Sequence, residues 1–128
     1  MIRRILFPTD FSTGAEKARD FAIELATKYG ASVDILHAIE PIVWHDDDHS
    51  FDDFYKRLEK NADLVLSRTA NIFREAKVPH TTRVVIEKRW GAIVEFAARE
   101  GSDLIVMGSR VPGLQANSLG TTSHKVFL

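Results

Sequence analysis

The sequence predicts an α/β fold, a doubly wound parallel sheet of strand order 3-2-1-4, and three observations predict it. Short apolar or β-branched runs at Arg4–Pro8, Ser32–Ala38, Thr81–Glu87 and Leu104–Met107 alternate with segments of helical period. The helical segments close at Gly30, at Val78-Pro79 and at Gly101, residues that stop helices. Leu104-Ile105-Val106-Met107 is apolar throughout, as expected of a parallel strand covered on both faces. Parallel strands need right-handed crossovers, and the winding then reverses between strands one and four.

The first strand, Arg4 to Pro8, ends on a proline whose missing N–H does least harm there. Thr9-Asp10-Phe11-Ser12 is a turn, and Thr13 with Glu16 three residues on reads as a capping box. The helix that follows places Ala15, Ala18, Ala22, Leu25, Ala26 and Tyr29 on one face, which implies close packing on the sheet. Strand two, Ser32 to Ala38, is broken by Ile39-Glu40-Pro41. A long helix from Asp52 to about Ala76 has Phe54, Leu58, Ala62, Val65, Thr69, Ile72, Phe73 and Ala76 at helical spacing. Strand three, with polar residues at both ends, reads as an edge. A shorter helix from Trp90-Gly91 turns Ile93, Val94, Ala97 and Ala98 inward, and a last helix starts near Gly120.

A chain of 128 residues is one domain, residues 1–128, and a hydrophobic share of 45% is enough for its core. A net charge of −1 speaks against nucleic-acid or membrane partners through bulk electrostatics. The chain has no cysteine, which excludes disulfides, thiolate catalysis and cysteine metal sites, and is compatible with a cytoplasmic protein. Met1-Ile2-Arg3-Arg4 leads straight into a strand, so no secretory core is expected. No apolar run approaches the roughly 20 residues of a membrane helix. In Trp44-His45-Asp46-Asp47-Asp48-His49 two histidines flank three aspartates, yet consecutive acids rarely converge on one ion. The expectation there is a solvated loop and helix start without a metal.

In a sheet wound this way, ligands bind outside the carboxyl ends of the strands at the reversal. Those ends are Pro8-Thr9-Asp10 and Met107-Gly108-Ser109. After Gly108 comes a small, polar loop, and Gly120 leads into Thr121, Thr122 and Ser123 just before a helix. Glycines and a hydroxyl-rich helix start suit a phosphate, and they also suit a tight, capped β–α turn. A P-loop is excluded because no Gly-Lys pair occurs. A dinucleotide fingerprint is excluded because Phe7-Pro8-Thr9-Asp10 follows the first strand.

Asp103 to Arg110, then Gly120-Thr121, then Ser123 to Val126, together with Ile5 to Ser12, resemble the universal stress protein family over nearly the whole chain. The resemblance implies a flavodoxin- or Rossmann-like sheet, a homodimer, and adenine nucleotide (ATP or AMP, with Mg) as ligand. It implies that Pro8, Thr9, Asp10 and Ala38 hold adenine and ribose, and that Met107 lies against the base. Gly108, Ser109 and Arg110 would then pass the ribose and phosphates, with Gly113 in the same loop, and Gly120, Thr121 and Thr122 would meet the phosphates. Two departures from the family's glycine pattern stand out. Val111 replaces the second glycine, and eleven residues rather than twelve separate Gly108 from Gly120. The family's fifth strand is missing before Leu128, so the strand-four edge is expected to be covered by further chain or by a second subunit. Three readings remain open: a nucleotide-binding stress module, a stress-protein scaffold without nucleotide, and an enzyme such as a weak ATPase. His37, at the end of a buried strand, is expected to be a hydrogen-bonded core residue, and Lys125 a surface one.

Overall fold

The computed structural model describes residues 1–41 and 50–108. In chain order they form β1 (Arg4–Pro8), α1 (Thr13–Tyr29), β2 (Ser32–Ile39), α2 (Ser50–Glu75), β3 (His80–Ile86), α3 (Arg89–Glu100) and β4 (Leu104–Ile105). The strands are parallel in the order β3-β2-β1-β4, the predicted topology. Pro8 stands opposite Leu36, and Leu6 opposite Ile105. The Val106 N–H donates to the Leu6 carbonyl at 2.9 Å, so pairing continues one residue past β4.

Side chains alternate across the sheet and divide the core in two. Ile5, Phe7, Val33 and Ile35 face α1 and α2, where they meet Ala15, Ala18, Ala22, Ala26, Leu66 and Phe73. The alanine face lets α1 lie close on the sheet, and Ala22 is fully buried. The Phe73 ring lies 6.1 Å from that of Phe7 and anchors α2. On the other face Leu6 and Leu36 meet Ile93 and Phe96 of α3.

Four details differ from the sequence expectation. Ser12 caps α1, accepting the Ala15 N–H at 3.2 Å, so Thr13 is already helical and the Thr13–Glu16 box does not form. The inward face of α3 is Ala92, Ile93 and Phe96, while Val94 and Ala98 are exposed. The buried face is centred on Ile93 and Phe96, which pack on Leu6 and Leu36, while Trp90 stays 41% exposed. On α2 the buried set is Ala62, Leu66, Ala70 and Phe73, and both Ile72 and Ala76 point outward. Tyr29 is likewise exposed, since α1 ends there at Gly30, which adopts φ 67°.

The amino end of the sheet holds a buried charge. Asp34 on β2 is 2% exposed. Arg4 donates to it from Nε at 2.6 Å and from Nη2 at 3.3 Å, and the Thr81 hydroxyl donates at 2.6 Å. Arg4 also meets Glu100 at 3.4 Å, and the bond to Asp34 holds its guanidinium proton more tightly than usual. Nearby, the Asp103 carboxylate accepts the N–H groups of Arg3 and Arg4 at 2.9 and 3.0 Å. These contacts tie β1, β2, β3 and α3 together at the end opposite the predicted crevice. No described helix is long and apolar enough to cross a membrane.

Candidate functional site at the carboxyl ends of the strands

The turn after β1 is built from short polar side chains that bond their own backbone. The Thr9 N–H donates to the Leu36 carbonyl at 2.9 Å, which carries β1 pairing one residue past Pro8. Thr9 itself is buried, and its hydroxyl oxygen accepts the Phe11 N–H at 3.1 Å. Asp10 accepts the Ser12 N–H at 3.0 Å through Oδ1. Phe11 adopts φ 65°, in the left-handed region, and this reversal delivers Ser12 to its capping position. His37, at the end of β2, places Nδ1 2.8 Å from the Thr9 carbonyl oxygen, and its ring stacks on Phe11. It is hydrogen-bonded, as expected, but half-buried rather than a core residue.

Asp10 is the charged group of this turn. Partial burial pushes its carboxyl up, but the Ser12 hydroxyl and N–H and the charge of Arg89 outweigh that, so its pKa lies below the ordinary carboxylate value. Arg89 opens α3, and its N–H donates to Glu40 at 3.4 Å. Sequence reading missed Arg89. The available signal was topological: α3 starts where β3 ends, at the same end of the sheet as Asp10.

Opposite the turn stand the residues that leave β4. Met107 packs against Leu6, Leu36, Ile93 and Phe96, on the α3 side of the sheet. By strand alternation Pro8 and Ala38 belong to that same side, since Leu6 and Leu36 face it two residues earlier. Ala38 is 7% exposed and lies opposite Val85. Pro8, Ala38 and Met107 therefore lie on one side of the sheet at the strand ends, with Asp10 in the turn that follows Pro8. Gly108 comes next, and a Cβ added to it would lie 2.7 Å from the Gly14 carbonyl carbon and oxygen and 2.9 Å from the Ala15 nitrogen. Only a residue without a side chain passes this close to the first turn of α1.

The structure thus brings Pro8, Thr9, Asp10, Ala38, Met107 and Gly108 to one end of the sheet. Ser109, Arg110, Gly113, Gly120, Thr121 and Thr122 lie outside the described residues, as do residues 42–49 with both histidines and the three aspartates. Among the described residues no cluster of acids and histidines is arranged to hold a metal. Chemically, the arrangement offers apolar side chains on one side of the sheet, a carboxylate acceptor at Asp10, and at Gly108 a residue without a side chain.

Sheet order and crevice place the chain in the doubly wound class of α/β domains, which hold ligands at this switch point. The chain belongs to the universal stress protein family, whose profile matches residues 1–128. It is 31% identical over 128 residues to the universal stress protein in the QAH/OAS sulfhydrylase 3'region of Thermus aquaticus, covering 98% of this chain and 91% of the relative. It is 29% identical over 137 residues to universal stress protein YxiE of Bacillus subtilis, covering 98% and 92%. Universal stress protein UspA from Lactobacillus plantarum superposes with a TM-score of 0.80 at 20% identity, covering 98% of this chain and 90% of that one. A universal stress protein in complex with cAMP gives 0.74 at 22%, covering 98% and 89%. The Archaeoglobus fulgidus universal stress protein in complex with dAMP gives 0.68 at 21%, covering 99% and 90%. At such identities these three structures establish a shared fold.

Proposed function

We propose that this chain is a small cytoplasmic stress-response module that binds an adenine nucleotide at the β1/β4 switch point and signals through protein contacts. One observation carries the reading: Pro8, Ala38 and Met107 share one face at the strand ends, with Asp10 in the turn just after Pro8. A planar base fits that apolar face, and Asp10 accepts from a ribose hydroxyl or an exocyclic amine. Gly108 lets the backbone approach the sugar, with Ser109 and Arg110 following it. Gly120, Thr121 and Thr122, read from the sequence alone, would supply N–H and hydroxyl groups to phosphate. The ligands of the two similar structures, cAMP and dAMP, support the choice of an adenine nucleotide. AMP or ATP satisfies this chemistry, with Mg accompanying the triphosphate. The functional form in this reading is a homodimer.

Gly120→Asp puts a negative charge where the phosphate sits. Calorimetry with AMP and with Mg-ATP is expected to show binding to the wild type and none to the variant. Equal affinities for wild type and variant refute the placement. The second reading, a scaffold without nucleotide, is favoured by Val111 and by the eleven-residue interval. Absence of binding heat for both nucleotides on the wild-type chain establishes that reading instead.

A further inference from the structure

A phenylalanine in the left-handed region is unfavourable and persists only where its surroundings hold it there. Phe11 is such a residue, at φ 65°. Two contacts secure it. Its N–H donates to the Thr9 hydroxyl oxygen at 3.1 Å, and its ring stacks on the His37 imidazole with centroids 4.2 Å apart and planes 24° from parallel. His37 also reaches the Thr9 carbonyl oxygen from Nδ1 at 2.8 Å. A carbonyl oxygen only accepts, so Nδ1 carries the proton and donates.

Thr9 is thereby held from three sides: its N–H by Leu36, its carbonyl by His37, its hydroxyl oxygen by Phe11. With the backbone groups of Thr9 committed in this way, the position of the next residue, Asp10, whose Oδ1 accepts the Ser12 N–H, is set by the same turn. Beside the Phe11 ring lies a groove of about 180 Å³ between α1 and α2, lined in part by Val65 and Ile72. A freed Phe11 has room there to relax out of its strained conformation, and Asp10 would move with it.

We propose that His37 is a positioning residue for the turn that presents Asp10, acting through its hydrogen bond to Thr9 and its stack on Phe11. In this role the imidazole sets geometry, with Nδ1 committed to the Thr9 carbonyl. The ligand arm of the test rests on the nucleotide reading, and the structural arm does not.

Three variants of the full chain separate the two contacts. His37→Phe keeps a ring and loses the donor, His37→Asn keeps a donor near the Nδ1 position and loses the ring, and His37→Ala loses both. Hydrogen exchange followed by NMR without ligand is expected to run about tenfold faster at the Phe11 and Ser12 amides of His37→Ala, the effect of one ordinary hydrogen bond. His37→Asn should restore most of that protection, while the Ile35 and Leu36 amides stay as in the wild type. Unchanged Phe11 and Ser12 exchange in His37→Phe and His37→Ala overturns the proposal. Calorimetry with AMP should show about tenfold weaker binding to His37→Ala, rescued by His37→Asn. A loosened turn with undiminished AMP affinity overturns the positioning role. A wild type that binds no AMP defeats the nucleotide reading alone, and the exchange data still decide whether His37 holds the turn.

Discussion

Gly108 stands against Gly14 so closely that a methyl group on its Cα would meet the Gly14 carbonyl carbon and oxygen at 2.7 Å. Both neighbours are backbone, which cannot swing aside as a side chain does. Gly108→Ala is therefore expected to push the chain leaving β4 away from α1. A loss of about 1–3 kcal/mol in urea unfolding is the expected scale for such overpacking. Under the proposed function, AMP affinity falls as well. An alanine variant as stable as the wild type contradicts this close approach.

Arg4 and Asp34 form an unequal pair, and their substitutions should differ. Asp34 is 2% exposed, whereas the Arg4 side chain is 36% exposed. Arg4→Ala strands a buried carboxylate with only the Thr81 hydroxyl, at a cost of about 3 kcal/mol. Asp34→Asn leaves an arginine that water can reach and should cost clearly less. Chemical denaturation of the two variants checks the order. A larger loss from Asp34→Asn contradicts it.

The acid limb of stability follows from two aspartates. The N–H groups of Arg3 and Arg4 hold the Asp103 carboxyl below the usual range. Asp10 is also lowered, Ser12 and Arg89 outweighing the effect of burial. A depressed folded-state pKa contributes stability above the unfolded value of about 3.9, and that contribution is lost as pH falls through the lower folded value. The melting temperature should thus not vary with pH through these two groups near neutrality, where their contribution is fully present, and should fall below about pH 4. Asp103→Asn should melt lower than the wild type near neutrality, with the gap closing in acid. Arg89→Ala should raise the Asp10 carboxyl pKa, read by carbon-detected NMR titration. An unmoved Asp10 titration shows that Arg89 does not act on it.

Topology was legible because strand and helix periods alternate cleanly and apolar runs mark the buried strands. Pro8, Asp10, Met107 and Gly108 follow from the same logic, since they sit where those runs end. Ser12 as the cap of α1 was not legible, because the left-handed Phe11 that sets it is a tertiary outcome held by His37. Asp34 looked like an ordinary strand residue; its partner lies 30 positions earlier and is found only through strand register. Arg89 was hidden for a similar reason, its relation to Asp10 arising from where α3 starts. The faces of α2 and α3 slipped because alanine and valine fit a helical period in more than one phase, and Leu66, Phe73 and Phe96 decide which phase is buried.

The central claim is that the face shared by Pro8, Ala38 and Met107, with Asp10 in the turn just after Pro8, receives an adenine ring. A crystal structure of the chain grown with AMP tests it most directly. The account predicts density for the base against those three residues, Asp10 within hydrogen-bonding distance of the nucleoside, and phosphate beside Gly120 and Thr121. Density for AMP at another place on the molecule, or none at saturating AMP, contradicts it.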